Sequence, residues 1–436
     1  MNETASPTEL EAWLRRLEAA HPVDIDLGLE RVAEVAQRMG LFDGPVAERI
    51  ISVAGTNGKG STVAMLESLA SQHGLSTATY TSPHLLRYNE RLHLNGQEAD
   101  DATLMDAFRA VEAARLAGEP VSLTYFEVGT LAALHAIRNL SPQLAILEVG
   151  LGGRLDAVNV VDADVAVVTT IALDHAAFLG DDLASIGREK AGIMRSGRPA
   201  VLGSRSLPAS VREAADSLPA PVFALDEAYG LEQEAATWHW WRRAGERITH
   251  LPDPGLPLDN AATALAALAL AGITLSPEAC RAAMANVRLP GRMQWDGAWC
   301  LDVGHNPQAA TYVATRLAER RVAGKTYALI GMLGDKDADG VIEALSPVID
   351  AWVPASLEGS RARSADDLAA CLLRHGQEVV ARAASPTAGA HWLEGRLEPE
   401  DRVLVCGSFF TVAEVLAARE NPAQTGRDDT SIEGMT

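Results

Sequence analysis

Basic residues are scarce: 37 lysines and arginines stand against 58 aspartates and glutamates, a net charge of -21 over 436 residues. No cationic field exists to hold a nucleic-acid backbone generically, so any phosphate has to be gripped locally. Cysteine is scarcer still. Cys280, Cys300, Cys371 and Cys406 are widely spaced and form no C-x-x-C pair, which argues against a disulfide framework or a zinc site and for a reducing cytoplasm. The first fourteen residues lack a basic start and an apolar centre, so secretion is not expected. The most apolar stretch, Ala261 to Leu275, is shorter than the roughly 20 residues that cross a bilayer and reads as a buried helix. Neither a nucleic acid nor a membrane is expected as a partner, and composition leans towards a monomer.

What the chain does have is alternation. Short β-rich apolar runs follow alanine- and leucine-rich helical stretches, the pattern of an α/β protein with a mainly parallel sheet. Asp26 stands where it can cap a helix with apolar positions at Leu29, Val32, Val35, Ala36 and Met39, ended by Gly40. Strands are expected at 50–54, 77–81, 144–149 and 164–170, and helices at about 61–73 and 127–139. Thr124 and Glu127 have the spacing of a capping box for the second helix. Trp238-His239-Trp240 alternates as a strand does, its rings reading as packing. The length suits two domains, and both periodicities break at Leu289-Pro290-Gly291-Arg292. The expected organisation is a first domain over 1–289, a connection over 290–297, a smaller α/β domain over 298–420 and a polar, disordered tail over 421–436.

The sharpest local signal is Gly55-Thr56-Asn57-Gly58-Lys59-Gly60-Ser61, between an expected strand and an expected helix. Glycines let backbone N–H groups converge on phosphate oxygens, Lys59 can reach the β/γ-phosphates, and Ser61 can bind magnesium. The ordinary phosphate-loop pattern has four residues between its glycines and a hydroxyl directly after lysine; here there are two, and Gly60 intervenes. The run from Leu144 to Asp156 is a buried strand that ends in Glu148 and a glycine-rich loop, which sets an oxygen ligand at the carboxyl edge of the sheet. His175 and Ser82 follow other strands to the same edge. Alone, Ser82-Pro83 reads as a turn, Arg188-Glu189-Lys190 as a solvated helix face, and Asn260 as part of a helix cap beside Asp259. Cys300 to Pro307 and Val403 to Ser408 repeat the strand, glycine turn and helix start further on.

These segments, in this order, resemble a known family. GTNGKGS (55–61), TSPHLLRYNER (81–91), LTYFEVGTLAAL (123–134), LEVGLGGRLDAVN (147–159), IALDH (171–175), REKAGI (188–193), LPGR (289–292), DVGHNP (302–307) and VCGSFFTVAEV (405–415) are similar to bacterial bifunctional dihydrofolate synthase/folylpolyglutamate synthases, relatives of the Mur peptide ligases. The resemblance spans about Leu10 to Ala417. It implies a phosphate-loop ATPase domain and a Rossmann-like domain, with ATP bound where they meet.

Residue by residue, the resemblance implies that Gly58, Lys59, Gly60 and Ser61 hold the triphosphate, and that Ser61, Ser82, Glu148 and His175 ligate Mg2+. Lys190 matches a lysine carbamylated by CO2. Asn260, Arg292 and Asp302 correspond to nucleotide contacts. Asp26, Leu27, Gly28 and Leu29, then Thr124, Tyr125 and Phe126, then Arg154, Leu155 and Asp156 correspond to the pterin surface. His305 and Ser408 match positions tied to glutamate. The family commonly reads Asp-Gly-Ala-His-Asn where this chain has Asp302-Val-Gly-His305-Asn, a change that keeps the separation of acid and histidine. Lys59, His175, Lys190, Asp302 and His305 are thus the expected catalytic set for an ATP-driven ligation of glutamate to a pteridine acid. A monofunctional folylpolyglutamate synthase, a Mur-type cell-wall ligase and a non-catalytic nucleotide-binding regulator stay open at this point.

Overall fold

A computed structural model describes residues 8–19, 26–174, 176–359, 361–420 and 432–434. His175 lies outside them, as do 421–431 and 435–436 of the expected tail. The chain divides into two compact units, Met1–Arg288 and Leu289–Thr436.

The first unit is built on β1 (Ile50–Ala54), β2 (Thr77–Tyr80), β3 (Leu92–Leu94), β4 (Gln97–Glu98), β5 (Leu144–Glu148), β6 (Val165–Val168), β7 (Ala200–Leu202) and β8 (Val222–Ala224). They form one sheet in the order β4-β3-β2-β5-β1-β6-β7-β8, parallel from β2 to β8, with β3 and β4 antiparallel at one edge. Every residue of β1, β2, β5 and β6 is buried, as strands covered by helices on both faces must be. A core that includes Phe108, Leu131, Ile137 and Leu147 and a second that includes Val168, Ile186, Met194 and Val211 lie side by side on the face of Ser52 and Ala54, while Ile51, Val53, Ile146 and Val167 are buried on the opposite face. After β1 the chain crosses to β2, then fills the gap with β5, and places β6 on the far side of β1. The carboxyl end of β1 is therefore flanked by loops that leave the sheet in opposite directions, where open α/β sheets bind ligands.

A smaller antiparallel sheet follows, of β9 (Tyr229–Glu234), β10 (Thr237–Arg242) and β11 (Arg247–Pro252). Trp238 and Trp240 are fully buried in it, donating to the carbonyls of Pro252 and Ala262, so the paired tryptophans do pack. The apolar alanine run is the helix Leu258–Leu270, buried along most of its length.

The second unit has β12 (Gln294–Asp296), β13 (Trp299–Leu301), β14 (Thr326–Ile330), β15 (Ala351–Pro354), β16 (Ala381–Ala383), β17 (Arg402–Cys406) and β18 (Ile432–Gly434). Its main sheet runs β12-β13-β17-β14-β15, parallel except for β12. Residues 294–296, expected within a connection, are thus an edge strand. Ile432–Gly434, expected within a disordered tail, pairs antiparallel with Ala381–Ala383.

Candidate active site

At the carboxyl end of β1 the chain turns through residues 55–58 into the helix Lys59–Gln72. Gly58 is left-handed (φ 86°), and a Cβ there would lie 2.7 Å from Nδ2 of Asn260, so glycine alone fits. The helix opens without a side-chain cap, leaving its first N–H groups to an anion. Two threonines that follow β6 fasten the loop. Thr169 Oγ1 donates to the carbonyl of Asn57 (2.7 Å), while Thr170 Oγ1 donates to the same carbonyl (3.0 Å) and accepts from the Asn57 amide (3.1 Å).

Asn260 does not cap its own helix. That helix starts at Leu258 after Pro257, and the buried Asn260 side chain instead donates to Ser61 Oγ at 2.8 Å, across 199 residues of sequence. Ser61 Oγ in turn donates to the Gly58 carbonyl (3.1 Å). Lys59 folds back over the loop, with Nζ 3.1 Å from the Gly55 carbonyl and 3.4 Å from that of Thr56.

Glu148 ends β5, in register with Val53 of β1, and is buried. One of its oxygens accepts from the Ser82 amide at 3.4 Å, which brings two of the expected metal ligands together. The loop that carries Ser82 is gathered by Glu90, whose carboxylate accepts from the consecutive amides of Leu85, Leu86 and Arg87 at 2.6, 2.7 and 2.6 Å. Arg91 adds a bond from Nε to His84 Nδ1 (2.8 Å); burial first, then the Arg91 charge, pushes the His84 imidazole down to about 4.

Lys190 is not on a solvated face. The helix Leu183–Ala191 buries it, and Nζ donates to the Gly55 carbonyl at 3.1 Å. Burial, then the neighbouring Lys59 cation, pushes this amine down to about 7 against the pull of Asp174 and Asp156. The helix is held to the loop after β5 by Arg154, whose amide donates to the Glu189 carbonyl (2.8 Å) and whose exposed guanidinium pairs with the Glu189 carboxylate (2.8 Å). Leu155 is half-buried beside it. Asp156 is buried and accepts from the amides of Leu151 (2.8 Å) and Val158 (2.9 Å); burial nonetheless pushes its carboxyl up to about 6.

Thr124 caps the helix Tyr125–Leu140 through the expected box with Glu127. Phe126 lies against Gly150, where a Cβ would come 2.6 Å from the ring, and the Arg91 guanidinium sits 5.5 Å from the Tyr125 ring centre. Asp26, by contrast, caps nothing: the helix it was expected to open begins at Glu30 behind Leu29, because Asp26 is paired with Arg31 (2.7 Å) instead. Leu27, Gly28 and Leu29 are half-buried.

In the second unit, Asp302 follows β13 and is buried, its two oxygens accepting from the amides of Met293 (2.9 Å) and Gly304 (2.7 Å). Burial raises its pKa against the Arg292 charge. His305 holds Nδ1 3.0 Å from the Val303 carbonyl, and since a carbonyl only accepts, Nδ1 carries a proton in that contact. Arg292 and His305 both lie against Phe409, at 5.3 and 6.4 Å. Ser408 is buried after β17 and accepts from the Phe410 amide (3.1 Å).

Residues 53–206 match the Mur ligase middle domain, and residues 291–409 the Mur ligase glutamate ligase domain. The dihydrofolate synthase/folylpolyglutamate synthase of Escherichia coli (strain K12) is 44% identical over 420 residues, which cover 95% of this chain and 96% of that one. The chain belongs to the dihydrofolate synthase/folylpolyglutamate synthase family. Among solved members of the family, E. coli FolC in complex with DHPP and ADP superposes with a TM-score of 0.90 at 42% identity, covering 97% of this chain and 100% of that one. A bifunctional folylpolyglutamate synthase/dihydrofolate synthase with Mn, AMPPNP and L-glutamate bound gives 0.87 at 45% identity, with 94% and 98% covered.

Several residues set in these places were not singled out by the sequence of this family member. Thr169 and Thr170 are legible only as a pair of hydroxyls at a strand end. Glu90 and Arg91 stand inside a quoted motif without a role.

Proposed function

We propose that this protein is an ATP-dependent amide ligase that joins L-glutamate to 7,8-dihydropteroate, giving dihydrofolate, and to reduced folates, giving folylpolyglutamates. The observation that carries this reading is the convergence at the end of β1: a glycine-turned phosphate loop, two lysines on one carbonyl, and the buried Glu148 beside Ser82. A carboxylate is a poor acyl donor because its leaving group would be oxide. Transfer of the γ-phosphoryl group of ATP to a carboxylate oxygen forms an acyl phosphate and ADP. The amine of glutamate then attacks the carbonyl carbon, phosphate leaves with that oxygen, and the amine sheds a proton.

Placement and charge are the protein's share of such a transfer. Lys59, released from the Gly55 carbonyl, puts its charge on the transferring group, and Gly58, Gly60 and Ser61 seat the triphosphate, with Asn260 fixing Ser61. The donor set suits Mg2+, a hard cation that takes one or two carboxylates, hydroxyls and substrate phosphates: Glu148 supplies a buried carboxylate, Ser61 and Ser82 hydroxyls, and His175 is the fourth expected ligand. When bound, the ion neutralises charge on the phosphates. Lys190 suits carbamylation, since a buried amine with a pKa near 7 has the neutral form that attacks CO2, losing a proton to give a carbamate anion.

Tyr125, Phe126, Arg154, Leu155 and Asp156, with residues 26–29, form the acceptor surface. In the second unit Arg292 and Asp302 serve the nucleotide, while His305 and Ser408 serve glutamate. His305 Nε2 suits the proton of the incoming amine better than Asp302, whose oxygens are engaged by two amides. No helix among the described residues is long and apolar enough to cross a membrane, and the four cysteines are buried thiols; we place the enzyme in the cytoplasm as a monomer acting on small molecules. The deciding assay supplies ATP, Mg2+ and glutamate with either dihydropteroate or tetrahydrofolate. Product from both is expected; product from tetrahydrofolate alone would reduce the enzyme to a monofunctional polyglutamylase.

A further inference from the structure

Residues 26–28 belong to no helix or strand, and Leu29 opens the helix Glu30–Arg38 without a side-chain cap. One side chain anchors the start of this segment. Arg31 reaches back with Nη1 to an Asp26 carboxylate oxygen (2.7 Å) and with Nη2 to the Asp26 carbonyl (3.0 Å), while Nη2 also donates to Oε1 of Glu127 (2.9 Å). The other oxygen of Glu127 accepts from the amide of Thr124 (2.7 Å), and the Glu127 amide returns a bond to Thr124 Oγ1 (3.2 Å). Glu127 is only 4% exposed at its side chain, and the Nε of Arg31 is buried with no partner of its own.

We propose that Arg31 is a positioning residue for the pteridine acceptor: its guanidinium ties the segment Asp26–Leu29 to the helix start Thr124–Phe126 and so sets the two walls of the acceptor surface against each other. The inference rests on the reading of those segments as that surface. Its physical basis is the geometry of the fork. Three acceptors on two separate segments are met by the two terminal nitrogens of one planar group, which the single ammonium of lysine cannot reproduce. The Asp26 arm contributes little to stability, because that pair is partly exposed, at 30% and 39%; the stabilising contact is the one to the buried Glu127, so the Asp26 arm is left with positioning the segment.

The test compares Arg31→Lys and Arg31→Met with Phe126→Ala, measuring KM for dihydropteroate, KM for ATP, thermal midpoint, and equilibrium binding of dihydropteroate to the ADP-loaded enzyme. Arg31→Lys keeps charge and bulk, so it reports even if Arg31→Met does not fold. The expected result for Arg31→Lys is a rise of about tenfold in both the KM and the dissociation constant for dihydropteroate, the scale of one lost charge-assisted bond. KM for ATP should stay within about twofold, well under that scale. A lowered thermal midpoint with unchanged dihydropteroate binding, or an equal rise in both KM values, would overturn the proposal. If Phe126→Ala also left dihydropteroate binding unchanged, the surface itself would be misplaced and the proposal would fall with it; if only Phe126→Ala weakened binding, the surface would stand and Arg31 would not position it.

Discussion

Lys59 and Lys190 converge on a single acceptor, the Gly55 carbonyl, each with its Nζ 3.1 Å from that oxygen. Burial first, and then repulsion from the Lys59 cation, bring the Lys190 amine down to about 7. Since its ordinary value is 10.5, the unfolded chain binds the extra proton between these values. This contribution to stability therefore rises with pH from about 7 to about 10.5.

The same shift predicts a CO2 dependence. The neutral fraction of Lys190 is roughly a tenth at pH 6 and nine tenths at pH 8. Enzyme depleted of CO2 should therefore regain more activity on adding bicarbonate at pH 8 than at pH 6, and 13C-bicarbonate should give a carbamate resonance that Lys190→Gln abolishes. Equal activity with and without CO2, and no such resonance, would remove the modification.

Lys59→Ala should lower turnover by about 100- to 1,000-fold, the range for losing one preorganised charge at a transferring group, with circular dichroism unchanged. Full ligase activity in this variant would mean that the loop does not hold the phosphates.

Asn260→Ala removes the partner of Ser61 Oγ at 2.8 Å and leaves a small void beside Gly58. KM for ATP should rise by about tenfold, the worth of one buried hydrogen bond to a ligand-bearing group. KM for dihydropteroate should not follow it. Steady-state titration of each substrate separates the two.

Glu148→Gln keeps shape and removes charge. Mn2+ binding in the presence of a non-hydrolysable ATP analogue, read by electron paramagnetic resonance, should weaken by at least about tenfold. Retained affinity would place the ion elsewhere.

The strand-and-helix frame was legible because fully buried parallel strands write themselves as short apolar runs: Ile50–Ala54 and Leu144–Glu148 are strands as expected. The capping box at Thr124 was legible because its partners are three residues apart. The misreadings share one cause, a polar residue in or beside a helix whose obvious local use is displaced by a better partner in space. Asp26 was expected to cap and pairs with Arg31; Asn260 was expected in a cap and reaches Ser61; Lys190 was read on its own as solvated and is buried against Gly55. Arg31 is only five residues from Asp26, but for Asn260 and Lys190 the competing partner is set by the tertiary fold and lies more than a hundred residues away. Thr169 and Thr170 escaped notice for the same reason, since the loop they hold precedes them by 112 and 113 residues.

The most direct measurement follows an oxygen atom. With dihydropteroate labelled with 18O in its carboxylate, and with ATP, Mg2+ and glutamate supplied, the released phosphate should carry one 18O for each dihydrofolate formed, because the carboxyl oxygen leaves with the phosphoryl group. Unlabelled phosphate alongside new dihydrofolate would contradict the acyl-phosphate route, and ADP release without any amide product would contradict the ligase.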